Sequence, residues 1–324
     1  MVLGRLSSEG EQHGRRRTAV PALWSRVPAQ PVTRLVLLGD LPGGRVEPVA
    51  AAVLTASSRP LPQVVAHRGA SDQLAEHTLR AYAKALADGA DALECDVRLT
   101  ADGHLICVHD RRIDRTSNGR GAVSTLALAE LERWDFETWK HPWADLDDER
   151  DDADTPPGVV LTLEQLCGMV ADYERPVQLA IETKHPTRYA ALVERRLVEL
   201  LDRFGWTRPR RDEPPRVRVM SFARASLRRV RQWAPHVPTV FLMDSVPRLL
   251  RGGGLPLDVR ITGPSIDIVR AHPSYVRRAQ QAGHAVHVWV VNDPADLGLC
   301  YELEVDAVIT DRPSETVDLL RSWA

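Results

Sequence analysis

The sequence predicts an α/β chain folded as a (β/α)8 barrel, irregular between its second and third strands. Three observations carry that expectation. Apolar strand-like runs alternate with helix-like segments over about 250 residues, as parallel strands joined by crossover helices require. Imidazole and charged groups stand at or near the ends of several runs, where a barrel assembles its chemistry. No glycine-rich phosphate loop follows the first run, which weakens the doubly wound, dinucleotide-binding alternative.

The chain has 324 residues, 44% apolar and 27% charged, ordinary for a soluble globular protein and long enough for a sizeable core. A formal net charge of −2 argues against broad nucleic-acid binding, which calls for a basic excess. No segment approaches the ~20 apolar residues of a membrane span. Cys95, Cys107, Cys167 and Cys300 show no CxxC spacing and lie in apolar runs. They read as small buried hydrophobes in a reducing compartment. Residues 1–60 differ, with prolines at 21, 28, 31, 42, 48 and 60 and a basic run at Arg15-Arg16-Arg17. They are expected to form a poorly ordered arm ahead of a domain spanning 61–324. The apolar piece at 49–54 comes too late for a secretory signal, so the expected location is cytoplasmic.

The first strand is expected at 64–66, ending on His67-Arg68-Gly69. A helix follows, with Thr78 as N-cap, Leu79, Tyr82, Ala83 and Leu86 at helical spacing, and Gly89 to close it. Strands at 92–97 and 105–108 come next, then a short helix at 126–134. An acidic, proline-terminated insertion at 141–158 reads as a solvated surface loop. Beyond it a helix at 162–170 opens on a Thr162/Gln165 capping box. Strands at 178–182, 217–220, 239–243, 259–262, 285–291 and 307–310 then alternate with helices at 189–204, 225–233, 274–282, 293–301 and 314–323. One joint breaks the pattern. Only VRLTADGHL separates Asp96 from Ile106, too short for a crossover helix, and Asp102-Gly103 marks a tight turn.

Alternate residues of a strand share a face, so Glu94 and Asp96 project together, with Leu93, Cys95 and Val97 opposite. Two carboxylates on a buried face resist ionisation unless a cation joins them, and a hard divalent ion suits oxygen ligands. By itself a Glu-x-Asp pair is more often an exposed edge or a salt-bridged pair. Glu182 and Lys184 repeat the spacing in LAIETK, where a surface ion pair is the simpler reading. Taken together, three carboxylates supply a Mg²⁺ or Ca²⁺ site, and Arg68 and Lys184 supply positive charge suited to a phosphoryl group. His67 and His109, at strand ends beside those charges, fit a general acid and a general base. HExxH and GxSxG patterns are absent. His13, His77 and His236 read as surface or structural groups.

Seven segments in order then carry a resemblance over about residues 63–324. They are HRGA at 67–70, GADALECDVRLTADGHLICVHD at 89–110, DRTSNGRG at 114–121, IETK at 181–184, MSF at 220–222, VWVVN at 288–292 and VDAVITDRP at 305–313. Together they resemble the glycerophosphodiester phosphodiesterases. The resemblance implies a TIM-barrel hydrolase that uses one divalent cation to cleave glycerophosphodiesters to an alcohol and sn-glycerol 3-phosphate. By that resemblance His67 and His109 are the acid–base pair, and Glu94, Asp96 and Glu182 are the metal ligands. Arg68 and Lys184 would contact phosphate, and Trp289 would line the substrate pocket, though barrel packing explains Trp289 equally well. The residues also allow a route in which the substrate's glycerol hydroxyl attacks phosphorus first and water then opens a cyclic phosphate. Where the family usually shows ENT this chain has Glu76-His77-Thr78, expected to alter hydrogen bonding at the pocket rim. Thr183 replaces a branched aliphatic and should point away from Glu182. Phospholipase-like hydrolysis of lysophospholipids and a non-catalytic phosphoester-binding module are the alternatives. The former calls for an apolar lip, which the sequence does not make plain.

Overall fold

The computed structural model describes residues 59–141, 158–209 and 213–323. All of the expected N-terminal arm but residues 59–60, and all but the two ends of the acidic insertion, lie outside these residues.

Eight parallel strands close into a barrel. They are β1 (Gln63–His67), β2 (Ala92–Leu99), β4 (Gln178–Thr183), β5 (Val217–Ser221), β6 (Thr239–Met243), β7 (Ile261–Pro264), β8 (Ala285–Val288) and β9 (Ala307–Thr310). Neighbours pair in that order and β9 returns to β1, with β1 also pairing β2. Closure leaves no free edge in the ring. The helices outside it are α1 (Leu79–Ala87), α2 (Leu128–Leu131), α3 (Leu163–Asp172), α4 (Leu192–Arg203), α5 (Arg224–Trp233), α6 (Ile266–Ala271), α7 (Pro273–Gln281), α8 (Pro294–Glu302) and α9 (Pro313–Trp323).

The irregular joint is where the sequence puts it. β3 (Leu105–Cys107) is antiparallel to β2, with Val97 opposite Cys107 and Leu99 opposite Leu105, and its other edge is held by Cys107 N to the Leu161 carbonyl at 2.8 Å and an Ile106–Thr162 bridge. The Asp102-Gly103 turn is closed by Thr100 N to the His104 carbonyl at 2.9 Å. β1 leaves the edge of β2 after its last partner, Glu94, and β3 takes over that edge beyond it. The two strands therefore run toward each other along one side of β2, and Val108 N donates to the Asp96 carbonyl at 3.0 Å.

Strand periodicity divides the core. Ala92, Ala180, Met220 and Ala307 face the barrel axis, while Leu93, Cys95, Val97, Leu179 and Ile181 pack outward against helices. Small residues on the inner face leave room for the longer side chains above them. Thr78 caps α1 by accepting from Ala81 N, and Thr162 and Gln165 form the expected box on α3. All four cysteines are buried free thiols. Several boundaries shift from expectation, β7 to 261–264 and α2 to 128–131 among them, and two differences bear on the site. β8 stops at Val288 because the next three residues leave regular pairing, with Ile266 N bonded to the Trp289 carbonyl and Val291 N to that of Ile309. α6 was not expected, being one short helix capped by Ser265, too brief for periodicity to reveal.

Candidate active site

The strand ends gather three carboxylates. Asp96 on β2 stands in register with Glu182 on β4, and Glu94 lies one inward-facing position below. One oxygen of each of Glu94, Asp96 and Glu182 falls within a group no more than 4.8 Å across, and all three residues are buried. Lys184 Nζ sits 2.9 Å from both Asp96 Oδ1 and Glu182 Oε1, and Arg68 Nε lies 2.9 Å from Asp96 Oδ2. These two Asp96 contacts are ion pairs without aligned hydrogen bonds. Thr183 turns the other way, its hydroxyl 2.7 Å from Ser226 Oγ.

Lys184 and Arg68, with buried Arg218 of β5 acting on Glu94, still do not keep all three buried carboxylates in their ordinary range. Burial and then the Asp96 charge push Glu94 well above the ordinary carboxylate range, and the same causes raise Glu182 to about 7. For Asp96 burial acts upward too, but the His77 hydrogen bond with Lys184 and Arg68 holds it well below that range. An all-oxygen set short of positive charge, with an Asp96 oxygen that accepts no aligned donor, fits a hard divalent cation.

His67 ends β1 opposite Glu94. Its Nδ1 donates to Asp311 Oδ1 at 2.7 Å, leaving Nε2 toward the site, 4.0 Å from Glu94 Oε2. Asp311 begins the loop after β9 and is fixed by Ser71 Oγ at 2.8 Å and Asn292 Nδ2 at 2.6 Å. Burial opposes these bonds, yet they hold Asp311 below the carboxylate range. His109 follows β3, and its carbonyl accepts from Arg98 Nε and Nη2. Its Nδ1 donates to Asp110 Oδ1 at 2.7 Å. Burial lowers the His109 imidazole, against the Asp96 charge, which favours the neutral ring. Both histidines thus have the same arrangement, Nδ1 held by a carboxylate.

Arg68 and His77 both have left-handed backbone, φ 58° and 61°, a strained choice for such residues. The loop between them is closed by His77 N donating to the Arg68 carbonyl at 3.0 Å. Gly69, at φ 89°, is required: a Cβ there would lie 2.6 Å from the Ala81 carbonyl carbon. His77 is buried rather than at a rim. Its Nε2 is 3.0 Å from Asp96 Oδ2 and its Nδ1 2.9 Å from the Tyr82 hydroxyl. Burial lowers its pKa; Nε2 donates to the Asp96 carboxylate, and the Tyr82 hydroxyl that meets Nδ1 itself donates to the Glu94 carbonyl at 3.0 Å. At the opposite side of the mouth, Trp289 Nε1 donates to the Gly263 carbonyl at 2.7 Å, and its ring meets Phe222 edge-on at 5.5 Å.

All eight candidates therefore lie at the C-terminal end of the barrel. Sequence reasoning missed Asp311, Asp110, Glu76, Asn292 and the buried role of His77. Asp110 and Asp311 were visible as acids beside a histidine and after a strand. Their pairing across the fold was not.

Among the described residues no helix is long and apolar enough to cross a membrane. The sequence profile of the "Glycerophosphoryl diester phosphodiesterase family" matches residues 67–315. The chain is 44% identical over 255 residues to a Mycobacterium tuberculosis protein named "Probable glycerophosphodiester phosphodiesterase 1", covering 79% of this chain and 91% of that one. It is 30% identical over 251 residues to a Bacillus subtilis glycerophosphodiester phosphodiesterase, covering 77% and 83%. Among solved structures, an Oleispira antarctica phosphodiesterase bound to its product sn-glycerol-3-phosphate superposes with a TM-score of 0.68 at 24% identity, over 81% of this chain and 97% of that one. That likeness bears on the fold.

Proposed function

Because the chain belongs to the glycerophosphoryl diester phosphodiesterase family and is an enzyme of it, we propose that it hydrolyses glycerophosphodiesters to an alcohol and sn-glycerol 3-phosphate. The observation that carries this is the buried meeting of Glu94, Asp96 and Glu182 within 4.8 Å at adjacent strand ends. These residues would hold one Mg²⁺ or Ca²⁺, which supplies Lewis-acid stabilisation of charge on the phosphoryl oxygens. Arg68 and Lys184, at the rim of the acidic cluster, bind and orient the phosphodiester. One of His67 and His109 takes the proton of the attacking hydroxyl, from water or from the substrate's glycerol. The other gives a proton to the leaving oxygen. Asp311 and Asp110 fix each ring at Nδ1, so that Nε2 is the nitrogen that exchanges the proton.

The test is release of glycerol 3-phosphate from glycerophosphocholine, with and without EDTA, then with Mg²⁺ or Ca²⁺ restored. Product that vanishes with chelator and returns with one ion supports the reading and names the ion. Retained turnover in EDTA overturns the cation's role. Glu94→Ala is expected to remove metal-dependent turnover, and His109→Ala to lower it about 10²–10⁴-fold.

Phe222, 42% exposed and set against Trp289, gives the mouth an apolar side and favours a second reading, hydrolysis of lysophospholipids. A lysophospholipid assayed beside glycerophosphocholine separates the two. Absence of product from both leaves phosphoester binding alone.

A further inference from the structure

The segment DRTSNGRG carries part of the family pattern but no role in the site described so far. Its Arg115 lies between the two loops that bring His109 and Arg68 forward. Nε donates to Asp110 Oδ2 at 2.7 Å, while Nη1 and Nη2 donate to the two oxygens of Glu76, both at 2.8 Å. The other oxygen of Asp110 holds His109 Nδ1, and Glu76 Oε1 also receives Arg68 Nη1 at 3.1 Å. Arg68 in turn pairs with Asp96. The guanidinium packs 5.8 Å from the centre of the Trp139 ring.

We propose that Arg115 is a positioning residue that orients His109 through Asp110 and ties that arm to Arg68 through Glu76. The proposal rests on the phosphodiesterase reading for its kinetic consequences.

The geometry explains why a planar fork stands here. His109 and Asp110 are each about one-third exposed, and a hydrogen bond so wet is individually weak. Glu76 is more covered than Asp110 and already fixed by Arg68, so it provides the firm anchor that Asp110 lacks. A guanidinium reaches both carboxylates at once, with three N–H groups in fixed directions. A lysine ammonium has the charge but not the reach in two directions. The acids respond accordingly. Burial opposes Arg115 at both, yet Glu76 and Asp110 are each held at about 2.

The test compares Arg115→Ala and Arg115→Lys with the unaltered protein, with folding verified by circular dichroism. Turnover of glycerophosphocholine in Arg115→Ala is expected to fall roughly 10- to 100-fold, the scale of a lost charge-assisted hydrogen bond. KM should move much less. Arg115→Lys should stay impaired, and added guanidinium chloride should restore part of the Arg115→Ala turnover. Independently of activity, ¹⁵N NMR of the ring nitrogens, assigned with His109→Gln, should report Nδ1–H at His109 in the unaltered protein and an Nε2–H mixture in Arg115→Ala. Arg115→Ala turnover within about twofold of the unaltered protein, or an unchanged His109 tautomer, overturns the proposal. If the unaltered protein turns over no substrate while the tautomer still shifts, the positioning stands and the reaction assignment fails.

Discussion

Asp311→Asn preserves volume and removes one acceptor, which makes it a sharp test of how His67 is held. Oδ1 of Asp311 faces His67 Nδ1 and Ser71 Oγ, and Oδ2 faces the Asn292 amide nitrogen. An asparagine has one carbonyl oxygen, so its NH₂ must meet a donor on one side. Asn292 cannot turn over to help, because its own oxygen accepts from Thr310 Oγ1 and Asp311 N. If the new amide turns its NH₂ to His67, the ring must offer Nδ1 as acceptor and carry its proton on Nε2. The nitrogen facing the carboxylate cluster is then a donor. If it turns the other way, the bond from Asn292 becomes a donor–donor clash and the His67 anchor loosens. Either outcome forfeits a charge-assisted bond of about 1.5–3 kcal/mol, about 10- to 100-fold in kcat. The assay is the initial rate of glycerol 3-phosphate release at saturating cation, with cation affinity measured separately by calorimetry. A variant within about twofold of the unaltered kcat would refute the assignment of Asp311 as the residue that sets the His67 tautomer.

Three further outcomes follow from the same geometry. Cation affinity measured by calorimetry should tighten at least about tenfold between pH 6 and pH 8, because Glu182, raised to about 7 by burial and Asp96, and Glu94, raised well above its ordinary range by the same causes, must shed protons to ligate; a flat profile removes Glu182 from the site. Glu76 is held at about 2 against an ordinary 4.5, with burial opposing and Arg115 and Arg68 prevailing. The folded state therefore binds fewer protons than the unfolded chain, and this stability is present above pH 4.5 and lost as pH falls toward 2. Glu76→Gln should flatten that acid limb of a Tm–pH curve, and an unchanged limb refutes the claim. Gly69→Ala combines a left-handed φ of 89° with a 2.6 Å approach to the α1 backbone and should cost about 2–4 kcal/mol. In thermal melts that is roughly a 5–15 °C drop in Tm, and no drop would mean the loop shifts freely.

The barrel was legible because its signals are local. Strand and helix periodicities alternate along the chain, and the nine residues after Asp96 cannot hold a crossover. The carboxylate cluster was legible in part, since Glu94 and Asp96 share a face by spacing alone, while their meeting with Glu182 depends on the β2–β4 register. What stayed hidden is pairing across long sequence separation. Asp311 meets His67 over 244 positions, and Arg115 meets Glu76 over 39. His77 illustrates a different gap. Nothing in Glu76-His77-Thr78 reveals that a left-handed backbone at His77 brings its ring to Asp96 rather than to solvent, because that direction is set by the Arg68–His77 closure.

The β3 spur gives the two histidines unequal mechanical support. His67 hangs from a strand hydrogen-bonded on both sides within a closed ring, so releasing it means opening the barrel. His109 hangs from three residues paired to β2 on one side and held on the other by a single bridge, Ile106 to Thr162, outside the ring, and a local fraying of those bonds would release it while the ring stays shut. So short and lightly paired a segment outside the ring opens at lower free energy than the global transition. Catalysis and folding should therefore part company under mild denaturant. Turnover would decay first, reversibly, at concentrations where barrel circular dichroism is still intact, with hydrogen exchange at Ile106 and Cys107 outpacing that at Val65 and Ala66.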